Sequence, residues 1–130
     1  MAKTSETKCL PEGLQLLNEW QNRLSISDWV IFLFDNVDPE EITIDDACAS
    51  CDWSESTKEA TIRMADPKKL KDFVRPWDYE VTLVHELLHC KFSLLDDLEK
   101  QDTLQSRVLH QILDDMARAL VDAKRVGEKK

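Results

Sequence analysis

No stretch of this 130-residue chain is apolar for the roughly 20 residues that a membrane-spanning helix needs, so membrane function is not expected. The opening MAKTSETKCLPEG is polar and lacks the apolar stretch of a signal peptide, which predicts a cytoplasmic protein with reduced cysteines. Basic residues are also scarce. Lys plus Arg number 17 against 26 for Asp plus Glu, a net charge of -9. Such a surface repels phosphate backbones, so nucleic acid is excluded as an expected partner. Repeats, low-complexity segments and linkers are missing too, and one domain over residues 1–130 is expected.

Two further scarcities bear on chemistry. Cys48 and Cys51 form a CxxC, but no second pair exists, only the scattered Cys9 and Cys90. A structural zinc site usually wants that second pair, so ordinary loop and core thiols are expected, with a metal or redox role as the alternative. Histidines number three. Two of them stand in one short stretch, Val84-His85-Glu86-Leu87-Leu88-His89-Cys90.

What is present reads as an α+β chain, strands early and helices late. Pro11 starts a helix with the stripe Leu14, Leu17, Trp20 and Leu24, Leu16 alongside. Trp29–Phe34 is a continuous apolar run suited to a buried strand. Residues 35–58 look acidic and irregular, with one short strand at Ile42–Ile44. Ala60–Met64 alternates as a strand with one face covered, and its segment Thr61–Met64 is expected to lie at an edge that an extended substrate can join. Asp66-Pro67 begins a short helix to about Phe73, Pro76 breaks it, and Asp78 caps a long helix to about Leu95. A last helix covers roughly Asp102 to Lys124, with the apolar stripe Leu109, Leu113, Met116, Ala117, Leu120 and Val121.

The HELLH segment can be tested on its own helix. With about 100° per residue, His89 falls roughly 40° from His85 and Glu86 roughly 100° away. Two imidazoles can then reach one metal while the carboxylate stays beside it. Hydrolysis needs that offset, because the metal acidifies a water and an uncoordinated carboxylate takes its proton. Thr82 and Ser93 extend the same polar sector, flanked by apolar residues on both sides. A helix covered on two flanks should present its polar strip to a cleft. The bland alternative is a pair of hydrogen-bonded core histidines and a surface glutamate.

Catalytic zinc usually takes three protein ligands and keeps a fourth position open. His110 is the histidine left over, at the edge of the core-facing stripe of the last helix. Asp114, one turn on, can accept a ring N–H from a ligand histidine and fix its tautomer. Asp114 can alternatively bind the metal itself, leaving His110 structural. Asp96 lies about 10 Å along the helix from His89, too far for one metal.

With these residues the chain resembles the zincin metallopeptidases, in particular small single-domain members from bacteria and phages that are related to gluzincins. LQLLNEWQNRL, DWVIFLF, ATIRMADP, HELLH and HQILDDMARALV carry the resemblance over most of the sequence. It implies a small sheet with an N-terminal helix, a buried active-site helix and a C-terminal helix, and Glu86 as general base. Gluzincins use a downstream glutamate as third ligand with an aspartate four residues later. Here His110 and Asp114 stand at the corresponding positions, and residues 100–127 hold no glutamate. Metzincins need Gly and His where this chain has Phe92 and Leu95.

The expected function is a Zn2+-dependent peptidase acting on a peptide or protein substrate, with zinc on His85, His89 and His110 and Glu86 as base. Tyr79 or Arg107 can donate to the oxyanion, or be plain surface residues. The rivals are a non-catalytic zincin-fold module that binds a partner, and a closed structural zinc site. Substrate, cleavage specificity and oligomeric state are not written in these residues.

Overall fold

Gln21, a polar side chain buried at the end of the first helix, closes the turn into the sheet. Its amide Nε2 donates to the carbonyls of Ile26 (3.1 Å) and Trp29 (2.9 Å), satisfying backbone groups that would otherwise be orphaned. This computed structural model describes residues 9–42, 48–70, 77–94 and 103–128. Helix α1 spans Pro11–Arg23, β1 Val30–Val37, β2 Ala49–Ser54, β3 Glu59–Ala65, α2 Tyr79–Lys91 and α3 Leu104–Glu128. The α+β expectation holds.

The sheet has the order β1-β3-β2, with β1 parallel and β2 antiparallel to β3. Thr61–Met64 therefore lies in the central strand, and the expected edge position is wrong. The alternation that suggests an edge reflects one covered face, which a central strand of a one-sided sheet also shows. The edges are β1 and β2. Trp29–Phe34 is correspondingly less buried than expected: Leu33 is fully covered, whereas Val30 is 40% exposed.

Strand β2 falls in the stretch that reads as irregular. Ala, Ser and Asp are poor strand formers, so ASCDWS carries little propensity. Register supplies the order instead. Leu33, Ile62 and Cys51 form one row across the sheet, and Ile31, Ala60 and Trp53 another. Both rows contribute to the core shared with the helices.

Other boundaries differ locally. In place of the helix expected from Asp66 there is a 3-10 turn, Pro67–Lys69. The Asp66 carboxylate caps it on Lys68 N–H, and Leu70 is already extended. Residues 71–76, which include the expected helix end at Phe73, lie outside the described residues. Of the strand expected at Ile42–Ile44, Ile42 instead ends another such turn, Pro39–Glu41. Thr43 and Ile44 lie outside the described residues. Helix α2 stops at Lys91, so Leu94 is exposed rather than part of an apolar flank. Leu95 and Asp96 also lie outside the described residues. Helix α3 begins behind Thr103, whose hydroxyl accepts from Ser106 N–H, and runs on to Glu128.

The three helices meet over the sheet. Leu17 and Trp20 of α1, Leu83, Val84 and Leu87 of α2, and Leu113, Ala117 and Val121 of α3 are buried together. Leu14, expected in the α1 stripe, is 41% exposed. Gly13 takes the inner position, where a Cβ would stand 2.7 Å from the Tyr79 hydroxyl. Helix α2 starts from an Asp78 cap on Val81 N–H, and that start is clamped to the end of α3. Arg125 forks onto both Asp78 oxygens at 2.7 and 3.0 Å. Glu80, buried, accepts from Lys124 Nζ at 2.5 Å and Trp20 Nε1 at 2.7 Å. These contacts make α2 and α3 antiparallel neighbours, which brings the HELLH turn of one beside His110 of the other.

Candidate metal centre

His85 and His89 lie one turn apart on α2, and His110 reaches them from α3. One ring nitrogen from each of the three lies within 4.8 Å of the others, a group that could hold a metal ion. The ring centroids are 5.2 Å apart for His85 and His89, 4.8 Å for His89 and His110, and 6.0 Å for His85 and His110. Burial grades across the group: His89 is buried, His85 half-buried and His110 exposed. One side is thus packed into the protein while the other faces solvent.

Contacts around the cluster limit how the His89 and His85 rings can turn. Trp53 of β2 stacks on His89, centroids 5.7 Å apart and planes within 19°. Asp114 of α3 places Oδ1 3.5 Å from His85 Nδ1, and its Oδ2 accepts from Arg118 Nε at 3.2 Å. The sequence suggests Asp114 as the orienting partner of His110, one turn away on the same helix; the structure instead brings it to His85 of the facing helix. Burial pushes the His85 imidazole below its ordinary value, opposed by the Asp114 carboxylate. A neutral imidazole is the form that binds a metal.

Glu86 is buried at 7% exposure, next to the cluster rather than at it. Desolvation, with a smaller contribution from Asp52 across on β2, raises its carboxyl to about 8. Among the described residues, no hydrogen bond offsets that burial. An isolated buried carboxyl is costly, and a nearby cation offsets the cost by favouring the ionised form.

The donor set suits a metal ion. Three imidazoles are a known ligand set, and the triangle must close from its 4.8 Å limit for all three nitrogens to reach one ion at the usual distance of about 2.0–2.1 Å. Thr82 lies one turn before His85 on α2, with its hydroxyl donating to the Asp78 carbonyl at 2.8 Å, whereas Ser93 falls beyond the end of the helix at Lys91. Tyr79, half-buried, has its hydroxyl engaged away from the histidines. Its hydroxyl donates to Asp35 Oδ1 at 2.6 Å, and burial with that bond raises its pKa. Arg107 is exposed, and no contact ties it to the histidines among the described residues.

Sequence reasoning misses Trp53 and Arg118. Trp53 sits in the unrecognised strand, and only the pairing of β2 with β3 carries it to His89. Arg118 is findable as the residue one turn beyond Asp114. Cys48 and Cys51 do not face each other as a closed pair: Cys51 Sγ lies 3.7 Å from Cys90 Sγ of α2, and Cys48 interacts with Thr82.

The chain matches no protein-family model, no curated protein and no solved structure. Among the described residues, no helix is long and apolar enough to cross a membrane.

Proposed function

We propose that this protein is a zinc-dependent metallopeptidase with a zincin-like arrangement. The observation that carries the reading is the meeting of three imidazoles from two helices beside a buried, hydrogen-bond-poor glutamate. A structural zinc site gives that glutamate no role and prefers four closed protein ligands. His85, His89 and His110 would hold the ion, which when bound would supply the Lewis acidity that activates a water and polarises a carbonyl. Glu86 accepts the proton of the attacking water and delivers it to the leaving amine nitrogen. Asp114, held by Arg118, orients the His85 ring through Nδ1.

Strand β2 is the substrate-facing edge in this proposal. Among the described residues it has no strand partner on its outer side, and it runs past the cluster through the Trp53–His89 stack. An extended peptide added there gains main-chain hydrogen bonds and lies beside the base. The test is hydrolysis of a mixed peptide library by the purified protein, followed by mass spectrometry. Cleavage that disappears with a zinc chelator and returns with added zinc supports the peptidase. A zinc-loaded protein that cleaves nothing points to a module that binds without turnover.

A further inference from the structure

Cys51 and Cys90 are separated by 39 positions in sequence, yet their sulfurs are 3.7 Å apart, in direct contact. Cys51 lies on β2 and is half-buried; Cys90 lies on α2 and is buried. Both flank His89. Cys90 is its chain neighbour, and Cys51 stands two residues before Trp53, whose ring stacks on it. A covalent change at this pair therefore reaches His89 from two sides.

We propose that Cys51 and Cys90 form a redox pair which a hydroperoxide closes into a disulfide, and that closure weakens metal binding at the histidine cluster. Cys51, the more accessible thiol, is the first to react. Its sulfur attacks the peroxide, the O–O bond breaks, and Cys51 becomes a sulfenic acid with release of water or an alcohol. Cys90 sulfur then attacks that sulfenic sulfur and expels water. Two thiols lose two electrons in total, and the peroxide is reduced by the same two. The contact with Cys90, together with burial, holds the Cys51 thiol well above its ordinary value. Closure accordingly needs sustained exposure to peroxide, since the thiolate is the nucleophile.

Closure must shorten 3.7 Å to about 2.05 Å, a specific geometry that side-chain rotation and movement of β2 toward α2 share between them. The interior around Cys90 is close-packed, so that displacement spreads to neighbours. Metal–ligand distances tolerate only about 0.2 Å, so a shifted His89 binds less well. The coupling to metal rests on the histidine reading above, whereas disulfide formation does not.

The experiment starts with fully reduced, metal-free protein treated with hydrogen peroxide, then alkylated, digested and mapped by mass spectrometry. The expected product is a cross-link joining the Cys51 and Cys90 peptides, absent in Cys51→Ser. A link between Cys48 and Cys51 instead, or four thiols still alkylated, overturns the pair. Zinc affinity is then compared by competitive titration between reduced and oxidised protein. The proposal expects at least about a fivefold loss on oxidation, reversed by dithiothreitol and absent in peroxide-treated Cys51→Ser. Cross-linked protein with unchanged affinity overturns the coupling. Failure of the reduced protein to bind zinc at all refutes the histidine site, and the cross-link result stands separately.

Discussion

Asp114 of α3 holds one oxygen 3.5 Å from His85 Nδ1 of α2, while its other oxygen is tied to Arg118. The carboxylate is thus fixed at both ends and can orient the imidazole without binding the ion. His110, one turn earlier on α3, is the proposed third ligand. Removing an orienting partner typically costs about 10–100-fold in metal affinity, and removing a ligand costs more. His110→Ala is therefore expected to weaken zinc binding further than Asp114→Asn, as read by competitive titration. A larger loss in Asp114→Asn would hand the ligand role to the aspartate.

Trp53 holds the His89 ring by stacking, and such ring pairs contribute about 0.5–1.5 kcal/mol. Trp53→Ala should lower zinc affinity by about two- to tenfold, since about 1.4 kcal/mol corresponds to tenfold. Trp53→Phe should keep most of it. Wild-type affinity in Trp53→Ala would show that packing from elsewhere fixes the ring.

Glu86→Gln separates base from ligand. Gln preserves shape and cannot take the proton, so hydrolysis should fall by about 10²–10⁴-fold while zinc stoichiometry stays unchanged. Loss of zinc from this variant would make Glu86 a ligand and reverse the assigned roles.

The clamp between α2 and α3 predicts acid sensitivity. The Arg125 guanidinium holds the Asp78 carboxyl below its usual range. Burial alone would raise Glu80, but its bonds to Lys124 and Trp20 win and lower it. Both folded values lie below the unfolded ones, about 3.9 and 4.3. Their contribution is complete above those values and lost as pH falls through the folded ones. Stability followed by urea unfolding should thus drop below about pH 4, and the drop should be shallower in Glu80→Gln. Lys124, 7% exposed, is the costlier partner to remove: Lys124→Ala should cost about 3 kcal/mol by leaving Glu80 short of its charge partner. Arg125, 41% exposed, should cost under about 1 kcal/mol. Equal losses in the two variants would contradict this ranking.

The helices and the histidine group are legible in the sequence because their signals are local and periodic. The Asp78 cap, the HELLH spacing and the Leu113–Ala117–Val121 stripe each follow from one helical turn repeated. Strand order is not legible, because pairing partners are set across the chain. Thr61–Met64 alternates equally well at an edge or in the centre, and only β2 on its far side decides. That strand is hidden by its own composition. With it go Trp53 and the contact of Cys51 with Cys90, which arise from register rather than from any motif. The 3-10 turn after Asp66 shows the same limit: a good cap and proline start a helix but do not propagate one.

In the proposed site one ion sits on three imidazoles drawn from α2 and α3. X-ray absorption at the zinc edge of the loaded protein tests it most directly. Three nitrogen donors and one oxygen at about 2.0–2.1 Å, with no sulfur, are expected. A sulfur shell near about 2.3 Å, from the cysteines of β2 or α2, would contradict it.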